Sequence, residues 1–143
     1  VRFIGIDPGG TTGYCILDKD PETKKIVIQD VGEVKSNSFY TWLDSWGTKG
    51  LQVVVCEDFI ARPNLTDGRW TEMPVPEQKG AIAYRSHQLG CRFVVLQPSD
   101  KPMGYKAANL PYHPGKKGTH MQDASAHAFY AAKLGYTKSQ RKF

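Results

Sequence analysis

A chain of 143 residues, 40% apolar and 23% charged, has the length and composition of one globular domain with a real core. No apolar run approaches the roughly 20 residues that cross a bilayer, no leader is expected ahead of the first strand, and Cys15, Cys56 and Cys91 are too few and too widely spaced to suggest a zinc site or a disulfide framework. The net charge of +5 is uneven: residues 1–100 carry 11 Lys/Arg against 13 Asp/Glu, whereas residues 101–143 carry 8 against the single acid Asp123.

Residues 2–6 are mostly apolar and predict a buried strand ending at Asp7. Pro8 to Gly13 form a glycine-rich turn, and YCILD, 14–18, begins a second strand. KIVIQDVGEV, 25–34, alternates as a third strand should. SNS at 36–38 offers helix caps, and Phe39, Trp42, Leu43 and Trp46 then share one apolar helical face, with Gly47 and Gly50 ending it. LQVVVCE, 51–57, reads as a central strand. Residues 76–89 read as a helix stopped by Gly90, and CRFVVL, 91–96, as a fifth strand. Residues 97–119 show little periodicity and read as a loop. Thr119 caps a last helix, HMQDASAHAFYAAKL. Three hairpin-like strands followed by alternating helices and strands predict an α/β domain over residues 1–136, a mixed sheet with helices packed on it. Residues 137–143 read as a basic C-terminal tail.

The opening stretch FIGIDPGGTTG admits two chemistries: a loop that cradles a nucleotide phosphate, or an aspartate that holds a metal ion. Asp7 and Glu57 both end apolar strands. If those strands are neighbours, the carboxylates lie side by side and resist joint ionisation unless a cation is present. Oxygen ligands of this kind suit Mg²⁺ or Mn²⁺. On the last helix His120, Asp123 and His127 share one face, while Met121, Ala124, Ala128 and Ala131 form a small apolar stripe suited to packing on the sheet. Either histidine could complete the site. Lys101, Lys106, Lys116 and Lys117, interleaved with Tyr105, Tyr112 and His113, suit contact with a nucleic-acid backbone. Arg62, Arg69 and Trp70 could grip phosphate and stack on a base.

GIDPGGTTG, then VVVCE, then HMQDA on a terminal helix resembles the RuvC-type Holliday junction resolvases of the RNase H-like superfamily, over residues 2 to about 134, and the short chain is more similar to the phage-type members than to the longer bacterial ones. The resemblance implies a five-stranded mixed sheet of order 3-2-1-4-5 with strand two antiparallel, flanked by helices. It implies an acidic tetrad falling on Asp7, Glu57, His120 and Asp123, as catalytic residues and as ligands of two Mg²⁺ (or Mn²⁺) ions ~3.5–4 Å apart. Asp7 would bridge the ions, Glu57 would serve the leaving-group side, and His120 and Asp123 the nucleophile side. The histidine departs from the all-carboxylate version but matches a variant, and His127 has no firm counterpart. The glycines at 9, 10 and 13 would leave room for the scissile phosphate. The implied activity is a structure-selective endodeoxyribonuclease acting as a homodimer on branched or double-stranded DNA in the cytoplasm, with no membrane partner.

Three rivals remain at this stage. A sugar-kinase or actin-like ATPase would use the same opening loop but needs a second domain. An RNase H-like or terminase-like nuclease would share the metal site and act on another DNA or a hybrid. A non-catalytic DNA-binding module would keep the fold, at the expense of clustered acids with no use.

Overall fold

The computed structural model describes residues 1–57, 75–111 and 119–136. They form a five-stranded sheet of order β3-β2-β1-β4-β5: β1 (Arg2–Asp7), β2 (Thr11–Lys19), β3 (Ile26–Lys35), β4 (Val53–Glu57) and β5 (Arg92–Leu96). β2 is antiparallel to β1 and β3, and β4 runs parallel to β1 and β5. The expected topology is met. β2 starts at Thr11, three residues earlier than its apolar core suggests, because the turn closes within Pro8–Gly10 and Asp7 already pairs with Gly13.

Helices cover both faces. Helix α1 (Phe39–Asp44), extended by a 3₁₀ turn at Ser45–Thr48, and α2 (Val75–Gln88) lie on one side. There Phe39, Leu43, Trp46 and Ile82 pack on Ile4, Ile6, Ile16 and Val54. On the other side α4 (His120–Leu134) sets Ala124, Ala128, Ala131 and Ala132 against Phe3, Cys15, Leu17, Val53 and Val55. The two-residue period of β1 and β4 sorts these layers: Phe3 and Gly5 face α4, Ile4 and Ile6 face α1 and α2. Asp7 and Glu57 continue the α4-facing parity.

The alanine stripe seats α4 as its spacing suggests, but the approach is closer than alanine alone explains. A Cβ on Gly5 would lie 2.2 Å from the Ala124 carbonyl oxygen, and one on Gly13 would lie 2.2 Å from the His120 backbone. Gly13 is therefore occupied by α4 and does not clear space for a phosphate. Gly10, with nothing within 4 Å of its Cβ position, does leave room.

Residues 97–119 are not a plain loop. A 3₁₀ turn at Pro98–Asp100 leads into α3 (Lys101–Ala107). Two turns of helix are too short to show periodicity and too short to stand alone. Packing supports them: Gly104 sits so close to α4 that a Cβ there would be 2.8 Å from the Ala126 carbonyl oxygen.

Candidate metal-dependent active site

Parallel pairing of β1 with β4 runs to Ile6 opposite Cys56. One residue further on, Asp7 and Glu57 stand side by side at the carboxyl end of the sheet. α4 enters at the same end. Its first turn is fixed by a capping box: Thr119 Oγ1 accepts from the Gln122 N–H at 3.1 Å, and Gln122 Oε1 accepts from the Thr119 N–H at 3.0 Å. With Gly13 beneath it, this turn places His120 Nδ1 2.7 Å from Asp7 Oδ2. A proton on Nδ1 donates to Asp7 and turns Nε2 away from it. Asp123, one turn along and only 2% exposed, accepts a hydrogen bond from the hydroxyl of Tyr105 on α3.

The electrostatics follow from crowding acids in a half-buried corner. Burial pushes the Asp7 carboxyl up; Asp123 adds to the rise, while His120 and Lys101 oppose it. Burial also raises Glu57, opposed by Lys101 and reinforced by Asp7 and Asp123. Lys101 Nζ lies 3.4 Å from Glu57 Oε1 and 3.5 Å from Asp123 Oδ2. Burial alone would lower this ammonium, but Glu57, Asp123 and Asp7 together outweigh it and the lysine is raised. Glu57 Oε1 is buried and makes no hydrogen bond among the described residues; its contact with Lys101 is a long ion pair.

The donor set fits a hard divalent cation. Three carboxylates and an imidazole lie at one end of the sheet, two of the carboxylates resist ionisation as they stand, and one buried oxygen lacks a hydrogen bond among the described residues. As they stand, no three of the described His, Cys, Asp or Glu side chains are grouped closely enough to hold a metal ion. Glu57 and Asp123 both turn an oxygen to Lys101 instead.

The four expected residues Asp7, Glu57, His120 and Asp123 are thus brought together. His127 is not one of them. It shares the helical face, but it lies one turn deeper, 2% exposed, and its Nε2 has no hydrogen-bond partner among the described residues. Burial pushes its imidazole down to about 4, so it is neutral at pH 7. Lys101, expected on a DNA-binding loop, points into the acidic cluster, whereas Lys106 is exposed on α3. Tyr105, expected among the lysines of a nucleic-acid backbone contact, is 2% exposed and spent on Asp123. Arg62, Arg69, Trp70, Lys116 and Lys117, with Tyr112 and His113, lie outside the described residues. Sequence reasoning missed α3, whose one local signal was Asp100 ahead of Lys101-Pro102, an N-cap followed by a first-turn proline.

No family model and no curated protein sequence matches the chain. Solved structures do match it. RuvC of T. thermophilus in complex with a Holliday junction substrate superposes with a TM-score of 0.65 at 15% identity, over 96% of this chain and 99% of that one. A second Thermus thermophilus RuvC structure gives 0.63 at 17%, over 96% and 99%. The Fowlpox virus resolvase in complex with substrate Holliday junction DNA gives 0.59 at 12%, over 94% and 95%. The fold is the RuvC-type, RNase H-like one, with the sheet order that the resemblance implied.

Proposed function

We propose that this chain is a divalent-metal-dependent endonuclease that cuts branched DNA, with the four-way junction as its substrate. The carrying observation is the meeting of Asp7, Glu57 and Asp123, from β1, β4 and α4, at one end of the sheet, in a fold shared over nearly its whole length with two junction resolvases. A nucleotide-binding reading has no comparable support: Asp7, just ahead of that loop, is paired with His120, and Gly13, just beyond it, is covered by α4.

Asp7, Glu57 and Asp123, with His120, would hold Mg²⁺ or Mn²⁺, two ions in the family's pattern. Bound there, such ions activate water and stabilise the leaving oxygen of a phosphodiester. The chain's own groups do the rest. Asp7 orients the His120 ring through Nδ1. Tyr105 locks one oxygen of Asp123 and leaves the other facing the cluster. Lys101 balances Glu57 and Asp123 in the free protein, and a cation binding there would release its ammonium towards the phosphate. Lys106, with Arg62, Arg69, Trp70, Lys116 and Lys117, would track the DNA backbone and the branch point. Residues 1–136 would be the nuclease domain, 137–143 a basic tail, and a homodimer would place two sites on one junction. No helix among the described residues is long and apolar enough to cross a membrane.

Cleavage of a labelled four-way junction beside duplex, single-stranded and RNA–DNA hybrid substrates, with Mg²⁺, Mn²⁺ or EDTA, tests this directly. Paired nicks at the junction, abolished by EDTA, are the expected result. Equal cutting of every duplex would remove the junction preference, and binding without cutting would remove the enzyme.

A further inference from the structure

Gln78 belongs to no part of the site described above, yet it is unusual chemically. It lies on α2, in the layer opposite α4, and is 4% exposed. Burying a primary amide is costly unless both of its ends are paired. Both are paired, and to one residue: the Gly9 N–H donates to Gln78 Oε1 at 3.0 Å, and Gln78 Nε2 donates to the Gly9 carbonyl at 3.0 Å. The side chain thus pairs with the Gly9 backbone as a neighbouring strand would. The orientation of the amide follows from its partners, since the N–H can only donate and the carbonyl can only accept.

The rest of the turn is held just as closely. A Cβ on Gly9 would lie 3.2 Å from the Thr11 carbonyl oxygen and 3.5 Å from His120 Cε1, so the His120 ring lies near Gly9 while the Gln78 amide pairs with its backbone. The Gly10 carbonyl accepts from the Ser36 N–H at 3.1 Å. Along α2 the buried residues Gln78, Ile82 and Ser86 recur every four positions. Ile82 anchors that stripe in the core beneath Ile4 and Ile6, and Gln78 is its end at the catalytic rim.

We infer that Gln78 is a positioning residue for phosphodiester cleavage: its amide carries the rigidity of the α2 layer across the sheet rim and holds Pro8–Gly10 in the one shape that presents Asp7 to His120 and leaves the space at Gly10 open for phosphate. This rests on the nuclease reading of the site. The clamp acts on the backbone beside Asp7 and touches no ligand itself, so its loss lowers the cleavage rate and spares DNA affinity.

The test uses the intact protein, with amide exchange read by NMR and single-turnover cleavage of a four-way junction. In the wild type, the Gly9 amide exchanges as slowly as amides of β1, although it lies in a turn; fast exchange there overturns the clamp without any variant. Gln78→Met keeps the volume and removes both bonds. Its Gly9 exchange rises at least about tenfold while amides in β1 and β4 are unchanged. Its cleavage rate falls about 10²-fold, and its junction Kd, measured in EDTA, stays within about threefold. Gln78→Glu keeps the acceptor but sets a second acceptor against the Gly9 carbonyl, and loses rate at least as severely; it serves if the methionine variant does not fold. Wild-type cleavage rates in either folded variant, or a uniform rise in exchange through the sheet, would overturn the positioning role. A wild type that cuts no substrate would overturn the nuclease reading, and the Gly9 exchange would still report whether the clamp exists.

Discussion

Replacing Gly5 by alanine adds one methyl group in the middle of β1, well below the acidic cluster, and should disable the site from beneath. The new Cβ would lie 2.2 Å from the Ala124 carbonyl oxygen, 2.7 Å from the Ala128 amide nitrogen and 2.8 Å from Ala128 Cβ. Two of these three atoms are backbone, so no rotamer change relieves the clash. Restoring ordinary contact requires β1 and α4 to part by about 1 Å. Overpacking of this kind costs about 3 kcal/mol, a large share of the ~5–15 kcal/mol that holds a domain together. It lowers Tm by about 10 °C. The chemical consequence is separate from the thermal one. α4 carries both His120 and Asp123, and displacing them by about 1 Å from Asp7 should slow cleavage by about 10²-fold even where the variant is fully folded. Calorimetry and single-turnover junction cleavage at 20 °C measure the two effects. Gly80→Ala is the matched control: it sits in α2 with nothing within 4 Å, so alanine there should be neutral or add up to about 1 kcal/mol. A Gly5→Ala protein with wild-type Tm and wild-type cleavage would refute the close seating of α4 on β1.

Asp7→Asn should abolish metal-dependent cleavage, by about 10³-fold or more, while leaving junction binding in EDTA intact; retained cleavage would sink the metal assignment. Lys101→Met removes the cation that Glu57 and Asp123 share. The metal-free protein should lose about 1–2 kcal/mol, and Mn²⁺ should bind about tenfold more tightly in calorimetric titration; weaker Mn²⁺ binding would mean that Lys101 supports the ion rather than competing with it. His127, buried and neutral with its imidazole pushed down to about 4, should make stability pH-dependent. Below the ordinary histidine value the unfolded chain takes up a proton that the folded chain refuses, so this stability is full above about 6.5 and is lost as pH falls towards 4. The raised Asp7 and Glu57 act in the opposite sense, favouring the folded state on acidification. The clean observable is therefore the difference between wild type and His127→Phe in urea melts, which should shift by about 3 kcal/mol against the wild type from pH 7 to pH 4. A pH-independent difference would show that the ring is solvated or paired.

Much of this protein can be read along the chain because local periodicity is what a sequence encodes directly. The apolar run of β1 ending in Asp7, the β-branched run of β4 ending in Glu57, and Thr119 ahead of the alanine stripe of α4 determine the strands, the helix and the end of the sheet at which the acids appear. Strand parity even decides that Asp7 and Glu57 face the same layer. What periodicity does not encode is the partner across a gap. His120 meets Asp7 across 113 residues and Gln78 meets Gly9 across 69, and neither pairing leaves a pattern in either segment. α3 is two turns long and exists because α4 covers it, so the segment reads as loop, and Lys101 and Tyr105 read as DNA contacts until the packing turns them onto Glu57 and Asp123. Gly13 reads from the sequence as room for a phosphate, but a missing side chain says only that something comes close; the tertiary structure decides that it is α4.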